Sequence, residues 1–432
     1  MQKTERGNYS RLGIILLCSL IYFVSYFSRK DFAAVMAGML SENVVSRTTA
    51  GLIGTVMFVL YGTGQLLSGY LGDKINPKHL IMIGLATAGA CNALMPIVPE
   101  DVMIAVWGVN GLAQAMMWPP IVKMLSHYLD HKTYVTANLV VTSAAHAATI
   151  LLYVYVPICL SFMSWQTVFF TASVLSLCSV LIFAITLRII LPEKPKGREV
   201  EAQESCSTES NTAKTTEEVV KISSGKSIFA ILRDTGVLTI FICVIVCGFL
   251  RDGIESWLPT LYSEAFNRDA SESILVSVIL PVFSIISITV ITALHKGKLF
   301  SNELVGSSIL FGGSIILAIP LVFLVDLEGT VYATISLVLT ALICAAMHGV
   351  NFLLISCLPG RFSGMGRAAT VSGVCNSCVY VGAAISMYGI AMVSQAIGWS
   401  LTIATWILLC ALGILFSSIS YKKYTAMINQ ED

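Results

Sequence analysis

Two arginines interrupt long apolar stretches of this sequence. Arg29 lies in FVSYFSRKDFAAVM (Phe23–Met36) and Arg251 in CGFLRDGIESWLPTLYSE (Cys247–Glu264). A cation inside a hydrocarbon-spanning helix costs roughly 2.5–3.5 kcal/mol on insertion scales, so such residues have a function to perform. A guanidinium is a planar fork that meets phosphate or carboxylate oxygens two at a time. Two forks converging on one water-filled cavity would be an anion site. The alternative is local neutralisation, of Arg29 by Asp31 and of Arg251 by Asp252 or Glu255. His146 raises the same choice: a helix-to-helix hydrogen-bonding group, or a ligand whose charge varies near neutral pH.

The elements that must position these groups are membrane spans. Of 432 residues, 56% are hydrophobic and 12% charged, with a mean hydropathy of +0.81; soluble domains run near a quarter charged. About 20 apolar residues cross a bilayer as a helix. Twelve such stretches are expected, near 12–39, 50–72, 79–98, 102–126, 134–160, 165–191, 235–262, 273–294, 304–325, 330–357, 367–393 and 397–420. A polar run rich in Glu, Lys, Ser and Thr, Pro192 to Lys226, divides them. The expected domains are a six-helix half (1–191), a linker with a short amphipathic helix near Ser227–Leu232 (192–234), and a second six-helix half (235–432).

Phe27-Ser28-Arg29 in the first span of one half lines up with Phe249-Leu250-Arg251 in the first span of the other. Pseudo-two-fold symmetry between parallel repeats would bring both arginines to a central cavity near the bilayer midplane. Loops on one side carry Lys3, Arg6, Arg11, Lys74, Lys78, Lys132, Lys296, Lys298, Arg361, Lys422 and Lys423, while the other side carries Arg47 and Arg268 among many acids. The bias predicts cytoplasmic termini and linker in a cell membrane. No cleavable signal peptide is expected. The twelve cysteines lie mostly in apolar stretches and read as packing residues, without a metal or disulfide pattern. No basic nucleic-acid motif and no nucleotide-binding glycine-rich loop is present, so nucleic-acid partners, ATP-driven pumping and covalent chemistry are not expected.

The loop GYLGDKINPKHL (Gly69–Leu80) resembles the Gly-x-x-x-Asp-Arg/Lys loop of the major facilitator superfamily. That implies an all-α membrane protein of twelve transmembrane helices in two pseudo-symmetric six-helix bundles. Gly69, Asp73 and Lys74 would then latch a gate; an ordinary charged turn is the alternative. The corresponding loop of the second half, LHKGKLFSN from Leu294, has no Asp.

Further segments resemble the organophosphate:phosphate antiporters within that superfamily, the family of the bacterial glycerol-3-phosphate and hexose-phosphate transporters. They are YFSRKDFAAVM, LYGTGQLLSGYLGDKINPK, NGLAQAMMWPPIVKMLSHY, TSAAHAA, LRDGIESWLPTLYSE and GRAATVSGVCNSCVYVGAAIS, in the family's order. The resemblance implies that Arg29 and Arg251 clamp phosphate and that His146 is the central histidine. Gln65 stands where the family has a lysine, Asp31 where it has Asn, and an acid, Asp252, follows the second arginine. Lys30, Trp257, Tyr262, His348, Asn376 and Tyr380 are further candidate contacts; for the aromatic, His and Asn side chains, packing or interhelical hydrogen bonding is the alternative.

The function expected is secondary transport of a sugar phosphate or glycerol phosphate. It would run by rocker-switch exchange with inorganic phosphate in a monomer, with no cofactor and no metal. Like-charge strain between two arginines in an empty cavity would favour crossing only when loaded. A proton-coupled carrier of carboxylates or sugar acids, working through Asp31, Glu255 or His146, is the main alternative. A transporter-like sugar-phosphate sensor is the second. Paired arginines argue against a multidrug exporter.

Overall fold

The computed structural model describes residues 2–190, 235–297, 300, 302–362 and 368–428; the predicted linker and its amphipathic helix lie outside the described residues. The fold is all helical. In chain order the elements are α1 (Gln2–Ser41), α2 (Arg47–Lys74), α3 (Pro77–Leu94), α4 (Glu100–Ala115), α5 (Trp118–Tyr128), α6 (His131–Phe162), α7 (Trp165–Ile190). There follow α8 (Val237–Ala265), α9 (Ala270–Val276), α10 (Ile279–Lys296), α11 (Glu303–Leu324), α12 (Thr330–Asn351) and α13 (Ala368–Ile428). Among the described residues, eight helical stretches are long and apolar enough to cross a membrane. One of them, Thr370–Ile428, holds two of the predicted spans, because Gly398 turns the chain at φ 83°. A positive φ of this kind suits a residue without a Cβ. The spans predicted at 50–72, 79–98 and 102–126 are also helical, as α2, α3 and α4–α5.

Three spans expected to be continuous are interrupted. The fourth breaks at Met116–Met117, and Pro119 and Pro120 open α5, where proline's missing N–H leaves no bond unmade. The eighth breaks into α9 and α10 around Ser277 and Val278. The tenth passes from α12 into a π-helical turn, Phe352–Cys357, and a 3-10 turn, Leu358–Phe362. At the cation-rich end, Asn76, Asp130 and Asn302 cap α3, α6 and α11 through their side-chain oxygens.

Within the first half α1 packs on α6 and α7, α2 on α4, and α3 on α4 and α7. Within the second, α8 packs on α12 and α13, α10 on α12, and α11 on α12 and α13. The halves meet along two lines, α2 with α13 and α6 with α9 and α10, and α1 also packs on α8 and α9. The second span of each half thus faces the fifth of the other, as a pseudo-two-fold axis along the membrane normal requires.

The α2–α13 line is close because it is built on glycine. A Cβ on Gly51 would stand 2.9 Å from Ala391 Cβ and 3.0 Å from Met387 O, and Gly54 abuts Met387. Thr55 Oγ1 donates to Ala384 O at 2.8 Å across the same line. At the cation-poor end Arg47 of α2 pairs with Glu264 of α8 and donates to Ser394 Oγ of α13 at 3.0 Å. Trp399 Nε1 donates to the second Glu264 oxygen at 2.8 Å. The halves are therefore tied together at this end.

Gly69, Asp73 and Lys74 fall on the last turns of α2, and their side chains lie outside the described residues. In the second half the acid missing from LHKGKLFSN comes one residue later. Glu303 is 1% exposed and accepts from Arg361 Nε and from Tyr424 Oη, each at 3.0 Å. It ties α11 to the turns after α12 and to the end of α13.

Candidate functional site: a cationic cavity between the halves

A cavity of about 250 Å³ lies between the two halves. Its lining runs from the level of Arg29 and Arg251 toward the cation-rich end, through Tyr22, Gln65, Trp118, Thr142, Ile288 and Asn376. Arg29, Lys30, Arg251, His146, Gln65, His348, Asn376 and Tyr380 all line it.

Arg29 projects from α1 beside Tyr22, Tyr26 and Lys30, a stripe at helical spacing. Its guanidinium lies over the Tyr26 ring at 4.1 Å and the Tyr61 ring at 5.0 Å. Among the described residues no carboxylate stands within ion-pair distance of it. Tyr61 packs on Tyr380 of the other half with ring centres 4.5 Å apart. Gln65 Nε2 donates to Tyr61 Oη at 3.0 Å. With that acceptor site filled, the phenol proton is available to an anion beside Arg29.

A buried polar cluster sets the rotation of α1. Asn92 Nδ2 and Asn110 Nδ2 donate to Ser28 O at 3.0 and 3.3 Å, Gln114 Nε2 to Ser28 Oγ at 3.1 Å, and Ser25 Oγ to Gln114 Oε1 at 2.5 Å. These bonds pin one side of α1 to α3 and α4, leaving Arg29 and Lys30 on the cavity side. Asp31 is 0% exposed, and its Oδ1 accepts from the Phe32 N–H at 2.8 Å. It does not neutralise Arg29.

The second wall is built differently. Arg251 donates to Asp252 Oδ2 at 2.7 Å and to Asn351 Oδ1. The neutralisation allowed by the sequence is thus realised at Arg251 and not at Arg29. Glu255, one turn on, accepts from Lys30 Nζ at 2.6 Å and from His348 Nε2 at 2.8 Å. The Lys30 bond joins the halves through the cavity, and Tyr153 Oη adds a 3.3 Å bond to Glu255 O. The ligating atoms of Glu255, Cys344 and His348 lie within 4.8 Å of one another; here the Lys30 ammonium is the cation that Glu255 holds. His146 Nδ1 is 3.0 Å from Thr142 O. A carbonyl only accepts, so Nδ1 carries the proton and Nε2 is left for the cavity.

Two expected contacts are elsewhere. Trp257 is 1% exposed and packs toward Trp399, with ring centres 6.5 Å apart. It lies six residues from Arg251, roughly 120° away around the helix. Tyr262 is on the correct face but about 16 Å further along the axis, against Phe266. The residues that sequence reasoning passed over, Tyr22, Tyr26 and Tyr61, stand at i, i+4 and i+7 spacings to Arg29 or one turn from Gln65. That spacing was the available signal.

The family profile of the Major Facilitator Superfamily matches residues 18–387. A probable hexose phosphate transport protein of Chlamydia trachomatis is 26% identical over 188 residues, 43% of this chain and 40% of that protein's length. The glycerol-3-phosphate transporter of Bacillus subtilis is 22% identical over 95% of this chain and 92% of its own. The membrane sensor protein UhpC of Escherichia coli is 32% identical over 28% of each. Among solved structures, a bacterial homologue of the human lysosomal transporter Spinster, inward-facing and unoccupied, superposes with a TM-score of 0.74 at 14% identity, covering 97% of this chain and 98% of that one.

Proposed function

We propose that this chain, which belongs to the Major Facilitator Superfamily, is a secondary transporter of a phosphorylated small molecule, a sugar phosphate or a glycerol phosphate. The observation that carries the reading is Arg29: a cavity guanidinium held on two tyrosine rings, with no carboxylate beside it among the described residues. Phosphate oxygens would meet its fork and the Tyr61 hydroxyl, while Arg251 takes the remaining oxygens from the opposite wall. His348, Asn376 and Tyr380 would face the organic part.

Transport in this reading is alternating access. Residues 1–191 and 235–432 rock as bodies joined by 192–234, in a monomer of the cell membrane. The cation-rich end is cytoplasmic, as the positive-inside rule requires, so the present state is inward-facing. The Arg47–Glu264–Trp399 group and the α2–α13 glycine line would part in the outward-facing state. Inorganic phosphate, the smallest ligand of the same two forks, is the exchange partner.

The test is exchange in reconstituted vesicles loaded with labelled inorganic phosphate. External hexose phosphate or glycerol-3-phosphate should release label, and Arg29→Lys should lower release by about 100-fold. Uptake of a carboxylate under a proton gradient, with no release by any ester, would replace this reading with the proton-coupled carrier. The partial likeness to a membrane sensor protein favours a second reading, a sugar-phosphate sensor, whose mark is tight ester binding without flux.

A further inference from the structure

Away from the cavity, α1 carries a carboxyl group without a cation. Asp31 is 0% exposed. Its cationic neighbours in the chain are engaged elsewhere, Arg29 on the Tyr26 and Tyr61 rings and Lys30 on Glu255. Asp31 Oδ1 accepts from the Phe32 N–H at 2.8 Å, whereas Oδ2 is buried with no hydrogen-bond partner. The side chains that α3 and α4 bring to this part of α1, Asn92, Asn110 and Gln114, are neutral amides. An ionised carboxylate here would be an unpaired charge inside a span, which costs far more than a neutral group in the same place.

A second acceptor at the same turn is also unmet. Asn92 Nδ2 donates to Ser28 O and to Ala88 O, each at 3.0 Å. Both partners are carbonyls, which only accept, so the amide cannot be turned the other way round. Asn92 Oδ1 is then left buried with no partner. In an α-helix the N–H of residue 32 points at the carbonyl of residue 28. Asp31 sits on that N–H and Asn92 on that carbonyl, so the two groups converge on one place. Two acceptors without a donor in a dry site are satisfied together by one proton: on Asp31 Oδ2 it makes a donor, and Asn92 Oδ1 is its acceptor.

We infer that Asp31 is a protonated carboxylic acid whose O–H donates to Asn92 Oδ1. The bond ties α1 to α3 one turn beyond Ser28. Asp31 is two residues from Arg29, about 200° away around the helix, so the tie holds the far side of α1 while Arg29 faces the cavity. Asp31 is thereby a positioning residue for Arg29, and it completes the polar cluster that sets the rotation of α1.

The first measurement is infrared absorption of the full-length protein in lipid at neutral pH, unaltered and as Asp31→Asn. A carboxylic-acid C=O band that moves on exchange into D2O and is lost in Asp31→Asn is expected. Asn92→Leu removes the acceptor and should move that band to higher frequency, a change that a merely structural role would not produce. The Asp31→Asn spectrum decides the protonation even if Asn92→Leu does not fold. The second measurement is binding of labelled hexose phosphate or glycerol-3-phosphate, which rests on the phosphate-ester reading above. Asp31→Asn offers an N–H donor in place of the O–H and should bind within about twofold of the unaltered protein. Asp31→Leu offers none and should bind about tenfold more weakly, the worth of one buried hydrogen bond. No acid band lost in Asp31→Asn would overturn the inference. A band unmoved in Asn92→Leu would overturn the bond to Asn92. Full binding by Asp31→Leu, or equal weakening in both Asp31 variants, would overturn the positioning role. The acid band with no ester bound by the unaltered protein would overturn the phosphate-ester reading and leave the protonated Asp31 standing.

Discussion

Arg29 and Arg251 occupy matching places in the two halves, yet their surroundings differ. On the first wall aromatic faces hold the guanidinium; on the second a carboxylate and an amide do. Cation–π contacts are worth about 0.5–2 kcal/mol and leave the fork's N–H groups unspent. A carboxylate at hydrogen-bond distance consumes them. The same residue type at symmetric positions therefore gives an open anion receptor on one side and an occupied one on the other. Repeat symmetry places a group; its neighbours decide what that group can bind.

The largest expected effect tests this difference directly. Arg29→Lys removes the fork where nothing competes for it, and should lower ester transport by about 100-fold, in line with charge-assisted bonds worth up to about 3 kcal/mol. Arg251→Lys should cost only about tenfold, because part of its strength is already committed to Asp252. Equal losses in vesicle flux would break the contrast between the walls.

Next is the closure that keeps the walls facing each other. Arg47→Ala removes the tie among α2, α8 and α13 at the cation-poor end. Loss of a partly buried pair of about 1 kcal/mol should shift the balance toward the outward-open state roughly fivefold. Thiol labelling at positions facing the α2–α13 line would report it, and unchanged labelling would show that the glycine contacts hold this end closed without the ion pair.

A smaller effect sharpens the picture of the first wall. Gln65→Leu leaves Tyr61 without its donor and should weaken ester binding about fivefold, the worth of one hydrogen bond of about 1 kcal/mol. If affinity is unaltered, Gln65 does not orient that hydroxyl. The smallest effect is expected at Trp257→Phe, below about twofold in flux. Its Nε1 has no hydrogen-bond partner, so little polar interaction is lost. A large loss of substrate affinity there would return Trp257 to the cavity.

Much of this molecule was legible in one dimension. A span announces itself by apolar length, because each backbone group in lipid must be satisfied within its own helix. The polar run Pro192–Lys226 divides the apolar stretches into two sets, and the matched arginines both line the cavity. The span at 102–126 was expected to be continuous, although Pro119 and Pro120 carried the signal for its break, since proline cannot continue a helix it would enter from within. What only the tertiary structure decided was partnership. Whether Arg29 turned to Asp31 or to Tyr26 depended on the rotation of α1, set by Asn92, Asn110 and Gln114 from α3 and α4. Whether Lys30 met substrate or Glu255 depended on a helix 225 residues away in the chain. Hydropathy is a property of each segment alone, whereas the partner of a buried charge is fixed by which faces of distant helices the packing brings together.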